Sequence, residues 1–326
     1  MTAVPAVPLP AGLIPAVLGT GSWVPERVVS NTEAVAHTGG PGDWITRKTA
    51  IVERRWADPC TTTAEAAAHA ARKALEQAGI GPEQLGLIVL ATSTPDSSQP
   101  PTACAVQAAL GADGAAALDV NGVCTGFLFA LATARGMLAT GNAGSYALVI
   151  GADLYSRILD RTDHRTVVLF GDGAGAALLG PTGDQRRGEI VATRLRSHGQ
   201  WRHLITREHG DWFRMDGGGV RDFVTAEVPL AVKDFLAEQG VDGSQVRHLV
   251  AHQANGTILD ALVPELGLAD DVAVHRTIDR YGNTASASVP LTLDQALRAG
   301  AVASGELVLL LAFGGGMAVG AALLRG

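Results

Sequence analysis

The run Leu118-Asp-Val-Asn-Gly-Val-Cys-Thr-Gly-Phe-Leu-Phe-Ala-Leu131 reads as a strand, a sharp turn and a buried helix, with Cys124 at the turn. Ala115 to Val120 is a short apolar run suited to a buried strand. Phe127, Leu128, Leu131, Met137 and Leu138 then recur at helical spacing on an Ala-rich background that ends at Gly141. This places Cys124 at a helix N-terminus, where unpaired N–H groups and the positive end of the dipole favour thiolate over thiol. The spacing therefore predicts a nucleophile.

A lone Cys among small apolar residues also fits an inert core position. Gly122 and Gly126 argue for function, because they let the backbone turn tightly and a substrate approach the sulfur. Gly-x-Cys-x-Gly also resembles the nucleophile elbow of α/β-hydrolases with Cys in place of Ser, which keeps a cysteine-type hydrolase open.

Composition narrows the classes. With 326 residues, 47% hydrophobic and 17% charged, the chain can bury one large core or two intimately packed ones. A net charge of -7 gives no electrostatic case for nucleic acid or an anionic membrane. Cys60, Cys104 and Cys124 lack metal-ligand spacing, and an odd cysteine count points to the reducing cytoplasm. The other histidines form no ligand-spaced cluster, so no metal is expected. Met1 to Pro15 is proline-rich without a basic leader and reads as a loose tail, not a signal peptide. Leu307 to Leu324 is uncharged and nearly long enough to span a membrane, but three consecutive glycines, Gly314 to Gly316, make two buried strands joined by a turn the better reading.

The chain then divides. A strand is expected over Ala16 to Gly21, a mixed loop and strand over Asp43 to Arg55, and a helix opened by the capping box Thr62-Thr-Ala-Glu65 and stopped at Gly79. Strands follow at Leu85 to Thr92, Tyr146 to Gly151 and Val167 to Leu179, the last broken at Gly171 to Gly175. Later come a helix at Gly217 to Gln239 with a kink at Pro229, a strand at Val246 to His252, helices at Ala254 to Leu266 and Ala285 to Ala299, and a strand at Leu307 to Leu311. Phe170-Gly-Asp-Gly-Ala-Gly-Ala-Ala-Leu-Leu179 is echoed by Phe313-Gly-Gly-Gly-Met-Ala-Val-Gly-Ala-Ala-Leu-Leu324, which implies an internal duplication. The expectation is a tail (1–15) and two similar α/β halves (16–183 and 184–326). Their sheets would sandwich the helices that begin near Cys124 and Ala285, with the active site between the halves.

His252 closes an apolar strand and leads into Gln253-Ala-Asn255. Asn283 stands in Gly282-Asn-Thr-Ala-Ser-Ala-Ser288 at the head of a helix. Taken singly, these read as a structural histidine and an N-cap. Together with Cys124 and the terminal Phe-Gly-Gly-Gly they resemble β-ketoacyl-acyl-carrier-protein synthase III. The likeness extends through Gly19-Thr-Gly-Ser-Trp-Val-Pro25, Asp43-Trp-Ile45, the run from Phe170 and Asp279-Arg-Tyr-Gly-Asn283, and covers nearly the whole chain.

The resemblance implies a thiolase-like fold, layered α-β-α-β-α, and a homodimer without metal or redox cofactor. It implies that Cys124 takes an acyl group from a coenzyme A or carrier-protein thioester, then hands it to the carbanion of a decarboxylated malonyl thioester. Thiolates attack thioesters readily and leave readily, which suits a covalent intermediate. By the same resemblance a neutral His252 Nε2–H and the Asn283 amide donate to the enolate oxygen, and the Cys124 and Gly315 N–H groups form a second oxyanion hole.

Several positions depart from the family. Trp44 matches its tryptophan over the adenine, but Lys48 stands for an arginine beside it. His164, followed by Arg165, stands for a nucleotide-gripping arginine. Beyond Asn255, Thr257 stands for the arginine that docks the carrier protein. Gln99 replaces a commonly aromatic residue that enters the partner subunit's acyl tunnel, which suggests a short, branched or oxygenated acyl group. Basic residues between Arg194 and Arg221 read as an ordinary solvated face, with a surface for a carrier protein as the alternative.

The nearest rival is an acyltransferase of the same fold that forms no carbon–carbon bond; Asn283, in place of an acid, favours condensation. The hydrolase reading lacks the required order of acid and histidine and any duplicated Phe-Gly-x-Gly element. A dinucleotide-binding reading of Gly171-x-Gly-x-Gly175 lacks the helix and the acidic ribose partner.

Overall fold

The computed structural model describes residues 15–38, 42–182 and 187–326. The tail and the join expected at 183/184 thus fall, but for Pro15, outside the described residues.

Ten strands and seven helices carry the argument. They are β1 (Pro15–Trp23), α1 (Asp43–Thr49), α2 (Thr63–Ala78), β2 (Leu85–Ala91), α3 (Thr102–Leu110), β3 (Ala116–Val120), α4 (Gly126–Ala139), β4 (Tyr146–Asp153) and β5 (Gly173–Pro181), followed by β6 (Ile190–Ser197), α5 (Gly217–Glu238), β7 (Val246–Ala251), α6 (Gly256–Leu262), β8 (Ala273–Val274), α7 (Ser288–Arg298), β9 (Leu307–Gly314) and β10 (Ala318–Arg325).

One five-stranded sheet runs β1-β5-β4-β2-β3 and the other β6-β10-β9-β7-β8. Corresponding pairs agree in direction. The β2–β3 and β2–β4 pairs are parallel, as are β7–β8 and β7–β9, while the two outer pairs of each sheet are antiparallel. The duplication read from the Phe-Gly-x-Gly echo is therefore present strand by strand.

The strands are nearly continuous apolar runs because both faces of each sheet are covered. In β2, Leu87, Val89 and Ala91 face a central core shared with Phe127, Leu128 and Leu131 of α4 and Val289 and Leu293 of α7; Ile88 and Leu90 face the outer core with the alanines of α2. In β9 the same alternation sends Val308, Leu310 and Ala312 to the central core and Leu309, Leu311 and Phe313 to an outer core with α5 and α6. The layers are thus helix, sheet, helix pair, sheet, helix.

Helix α2 starts at the Thr62/Glu65 capping box and stops at Gly79, whose φ of 67° terminates it. It lies very close to β1. A Cβ on Gly19 would come within 2.4 Å of the Ala74 carbonyl oxygen, and one on Gly21 within 2.2 Å of that of Ala70.

Some expectations give way. Asp43–Thr49 is helical, and only Glu53–Arg55 of that segment is strand. Residues 167–169 form turns and Phe170 makes only an isolated parallel bridge to Asn283, because carbonyls here serve other groups: Val168 O accepts from the fully buried Arg54 guanidinium at 2.8 Å and Leu169 O accepts Asn283 N–H at 2.8 Å. Strand β3 is a half-exposed edge, not a buried strand. The helix expected over 254–266 is α6 followed by a 3-10 turn at Val263–Leu266, and α5 runs through Pro229.

Leu131 is fully buried between the sheets. Leu131→Ala should lower unfolding stability by about 2–5 kcal/mol, read from the urea midpoint.

Candidate active site

Cys124 sits in the 3-10 turn Val123–Thr125 that feeds α4. The turn is made at Val123, whose φ of 48° is a left-handed conformation costly for a β-branched residue. Gly122 itself has φ -120°; its lack of a side chain serves close approach, since a Cβ there would lie 2.9 Å from Gly126 Cα. The glycine turn at the end of β9 closes over the elbow. A Cβ on Gly314 would meet Cys124 Cβ at 2.6 Å and Sγ at 3.3 Å, and one on Gly315 would meet Val123 Cγ2 at 2.9 Å.

The second half repeats the device. Ala285 also has φ 48° and opens the 3-10 turn Ala285–Ala287 that feeds α7. Ser286 is thus the counterpart of Cys124, and it is turned to Asp153 at the end of β4. Asp153 is fully buried and accepts from Ser286 Oγ at 2.6 Å and Ser286 N at 3.0 Å on one oxygen. On the other it accepts from Ser93 N at 2.8 Å, Ser93 Oγ at 3.0 Å, Thr94 Oγ1 at 3.1 Å and Thr92 Oγ1 at 3.3 Å.

His252 follows β7 and extends its ladder, with its N–H 2.7 Å from Leu311 O. Its ring meets the edge of Phe313 with centroids 5.5 Å apart, and Nδ1 lies 2.6 Å from Ser288 Oγ. Phe313 precedes the Gly314 that covers Cys124, so the imidazole packs one residue along β9 from the cover of the thiol. Asn283 is held by backbone bonds to Leu169 and Gly171. Its Oδ1 accepts Ala285 N–H at 2.9 Å and its Nδ2 donates to Ala254 O at 3.4 Å, so the amide has a second N–H to offer.

Burial governs the electrostatics. Desolvation, with the nearby Asp153 carboxyl group second, pushes the Cys124 thiol well above its ordinary range. This reverses the thiolate expected from the helix terminus: in the resting protein the sulfur is a buried thiol, 6% exposed. Burial also draws His252 down to about 3, so the imidazole is neutral, and raises the carboxyl of Asp153.

Trp44 on α1 is half-buried and packs against the apolar cluster containing Cys124, whereas Lys48 and His164 are exposed. Asn255 caps α6, with Oδ1 accepting from Thr257 N and Thr257 Oγ1, both at 2.9 Å. Thr257 Oγ1 also lies 3.0 Å from Lys48 O and joins α6 to α1. Gln99 is exposed on the loop before α3. Ser286 and Ser288 stand in the motif after Asn283 without a role that the sequence assigns them, and nothing local marks Asp153. Polar residues spaced by one in a small-residue run were the only signal for the two serines.

Known proteins resemble the chain along nearly its whole length. The sequence profile of 3-oxoacyl-[acyl-carrier-protein] synthase III matches residues 118–199, and that of its C-terminal part matches residues 236–326. The acetoacetyl CoA synthase NphT7 of Streptomyces sp. strain CL190 is 51% identical over 324 residues, covering 95% of this chain and 98% of that protein. The chain belongs to the β-ketoacyl-acyl-carrier-protein synthase III family.

Another member, the β-ketoacyl-[acyl-carrier-protein] synthase III of Erythrobacter litoralis, is 45% identical over 95% of this chain and 98% of its own. Among solved structures, the synthase III of Aquifex aeolicus superposes with TM-score 0.90 at 38% identity, covering 96% of this chain and all 100% of that one. The priming β-ketosynthase of the R1128 polyketide pathway gives TM-score 0.91 at 34% identity, with 98% and 99% covered. The chain thus has the thiolase fold of the synthase III family and is a transferase of the ketosynthase kind, catalysing decarboxylative Claisen condensation with a malonyl thioester. The hydrolase and plain acyltransferase alternatives fall away. Among the described residues, no group of three or more His, Cys, Asp or Glu is arranged to hold a metal, and no helix is long and apolar enough to cross a membrane.

Because Cys124 is a buried thiol, iodoacetamide at neutral pH should label exposed Cys60 first, with Cys124 labelling rising only as the solution is made alkaline. Peptide mass mapping against time reads both sites; prompt labelling of Cys124 at neutral pH would show a resting thiolate.

Proposed function

We propose that this synthase loads a two-carbon acyl group from acetyl-coenzyme A onto Cys124 and condenses it with malonyl-coenzyme A, giving acetoacetyl-coenzyme A. In this reading Cys124 is the nucleophile, and the free Asn283 N–H and His252 steady the enolate oxygen left when carbon dioxide departs. The Cys124 and Gly315 N–H groups receive the oxyanion of acyl transfer. Trp44, Lys48 and His164 flank the entrance for the nucleotide, and Asn255 shapes the loop beside His252.

The observation that carries the choice of acceptor is Thr257. Where the resemblance places a carrier-docking arginine, this chain has an uncharged hydroxyl whose one hydrogen lies between Asn255 Oδ1 at 2.9 Å and Lys48 O at 3.0 Å, so this position itself offers an acidic partner no cation. The name of the 51%-identical acetoacetyl CoA synthase supports the same acceptor. A short acyl group is supported by the aromatic wall in the apolar cluster around Cys124. Tyr155 stacks on Phe170 at 4.5 Å between centroids, and Phe213 meets both edge-on at 5.4 and 5.0 Å. The open edge at β3, with exposed Gln99 on the loop before α3, supports a homodimer in which Gln99 closes the partner's acyl site.

With acetyl-coenzyme A as donor, malonyl-coenzyme A should be condensed faster than malonyl carrier protein, measured as carbon dioxide release; preference for the carrier protein would refute the acceptor assigned. Cys124→Ala should take up no acyl mass. Asn283→Ala should load normally yet lose condensation by on the order of 100-fold, because it removes one oxyanion donor.

A further inference from the structure

His252 has one nitrogen accounted for, and a single serine hydrogen decides where the imidazole proton lies. Ser288 Oγ is 2.9 Å from the carbonyl oxygen of Ala285 and 2.6 Å from His252 Nδ1. A carbonyl only accepts, so the contact with Ala285 uses the one hydroxyl hydrogen that Ser288 possesses. The serine oxygen must then accept from Nδ1. Both contacts exist together only when Nδ1 carries the hydrogen. Turning the hydroxyl toward Nδ1 would give up the bond to Ala285, whose carbonyl would keep only the Ser288 N–H. Ser288 is fully buried and His252 is 1% exposed, so the choice is made by protein groups. The neutral ring, held down to about 3 by burial, then has a bare lone pair on Nε2.

We propose that Ser288 is a positioning residue that holds His252 in the Nδ1–H tautomer, so that Nε2 is the base that takes the Cys124 proton during acyl loading. The inference rests on the roles proposed for Cys124 and His252, and it supplies what a buried thiol requires. As sulfur attacks the donor carbonyl, the S–H bond breaks and its proton passes to Nε2; the sulfur–carbon bond to the acyl group forms, and that to coenzyme A breaks. The coenzyme leaves as thiolate and takes a proton from solvent. The proton on Nε2 then donates, with Asn283, to the enolate formed as malonyl loses carbon dioxide. When the new carbon–carbon bond expels Cys124 as thiolate, Nε2 returns the proton to it. One proton circulates within the site: His252 enters loading as the Nδ1–H tautomer, enters condensation protonated on both nitrogens, and returns to the Nδ1–H tautomer when Cys124 is released.

The test is the ¹⁵N spectrum of histidine-labelled protein, with the His252 signals identified by their loss in His252→Asn, beside rapid-quench mass measurement of acetyl loading. Wild type should show a protonated, pyrrole-type Nδ1 and a pyridine-type Nε2. Ser288→Ala removes the acceptor, so the proton should move to Nε2 and loading should slow by on the order of 100-fold, the usual worth of a general base. A pyridine-type Nδ1 in wild type overturns the inference, even if Ser288→Ala does not fold. So does a Ser288→Ala protein that loads at the wild-type rate. A wild type that accepts acyl mass from no thioester refutes the functional reading and the role given to Nε2, while the ¹⁵N shifts still decide the tautomer.

Discussion

The carboxyl group of Asp153 joins the two sheets' central turns close to Cys124. It ends a strand of the first sheet, receives the hydroxyls and N–H of residues 92–94 beside it, and takes both donors of Ser286 from the second half. A fully buried carboxyl is tolerable only when its lone pairs are met, and here they are met from both sides. The turn that carries Ser286 also presents Asn283 at one end and Ser288 at the other, so the same anchorage that joins the halves fixes the amide and, through Ser288, the imidazole.

The duplication explains why the site is asymmetric. Val123 and Ala285 adopt the same left-handed φ of 48° at the heads of equivalent central helices. One elbow presents a sulfur beneath the glycine turn after β9, and the other presents a serine bound to the carboxyl at the end of β4. In the function proposed, catalysis uses the first; the second is part of the scaffold. The strain at Val123 is held by packing on both flanks, from Gly126 and from Gly315, which is how an unfavourable backbone conformation persists at a functional position.

Burial sets the reactivity of the centre. A dipole at a helix N-terminus stabilises a charge modestly, and complete desolvation outweighs it. The sulfur therefore needs a proton acceptor at the moment of reaction, and the role proposed for His252 is to be that acceptor, uncharged in the resting protein.

Much of this was legible in the chain. Periodicity placed the two central helices, the capping box placed Thr63–Ala78, and the Phe-Gly-x-Gly echo gave the duplication, because each is a local pattern with a local physical cause. Cys124, His252 and Asn283 stood out because rare residue types occurred in small-residue settings at compatible spacing. The strand expected from Val167 gives way to turns at 167–169 because carbonyls there are claimed by Arg54 and Asn283 from distant segments, which local propensity cannot register. The ionisation of Cys124 failed for the same reason: the dipole is read from its own helix, but desolvation comes from β9, the 285–287 turn and the aromatic wall. The sequence by itself determined the layers and the reactive residue types; only the tertiary structure decided the protonation of the thiol, the tautomer of the imidazole and the joining role of Asp153, since these depend on groups more than a hundred residues apart or on a hydrogen count that exists only once the atoms are placed.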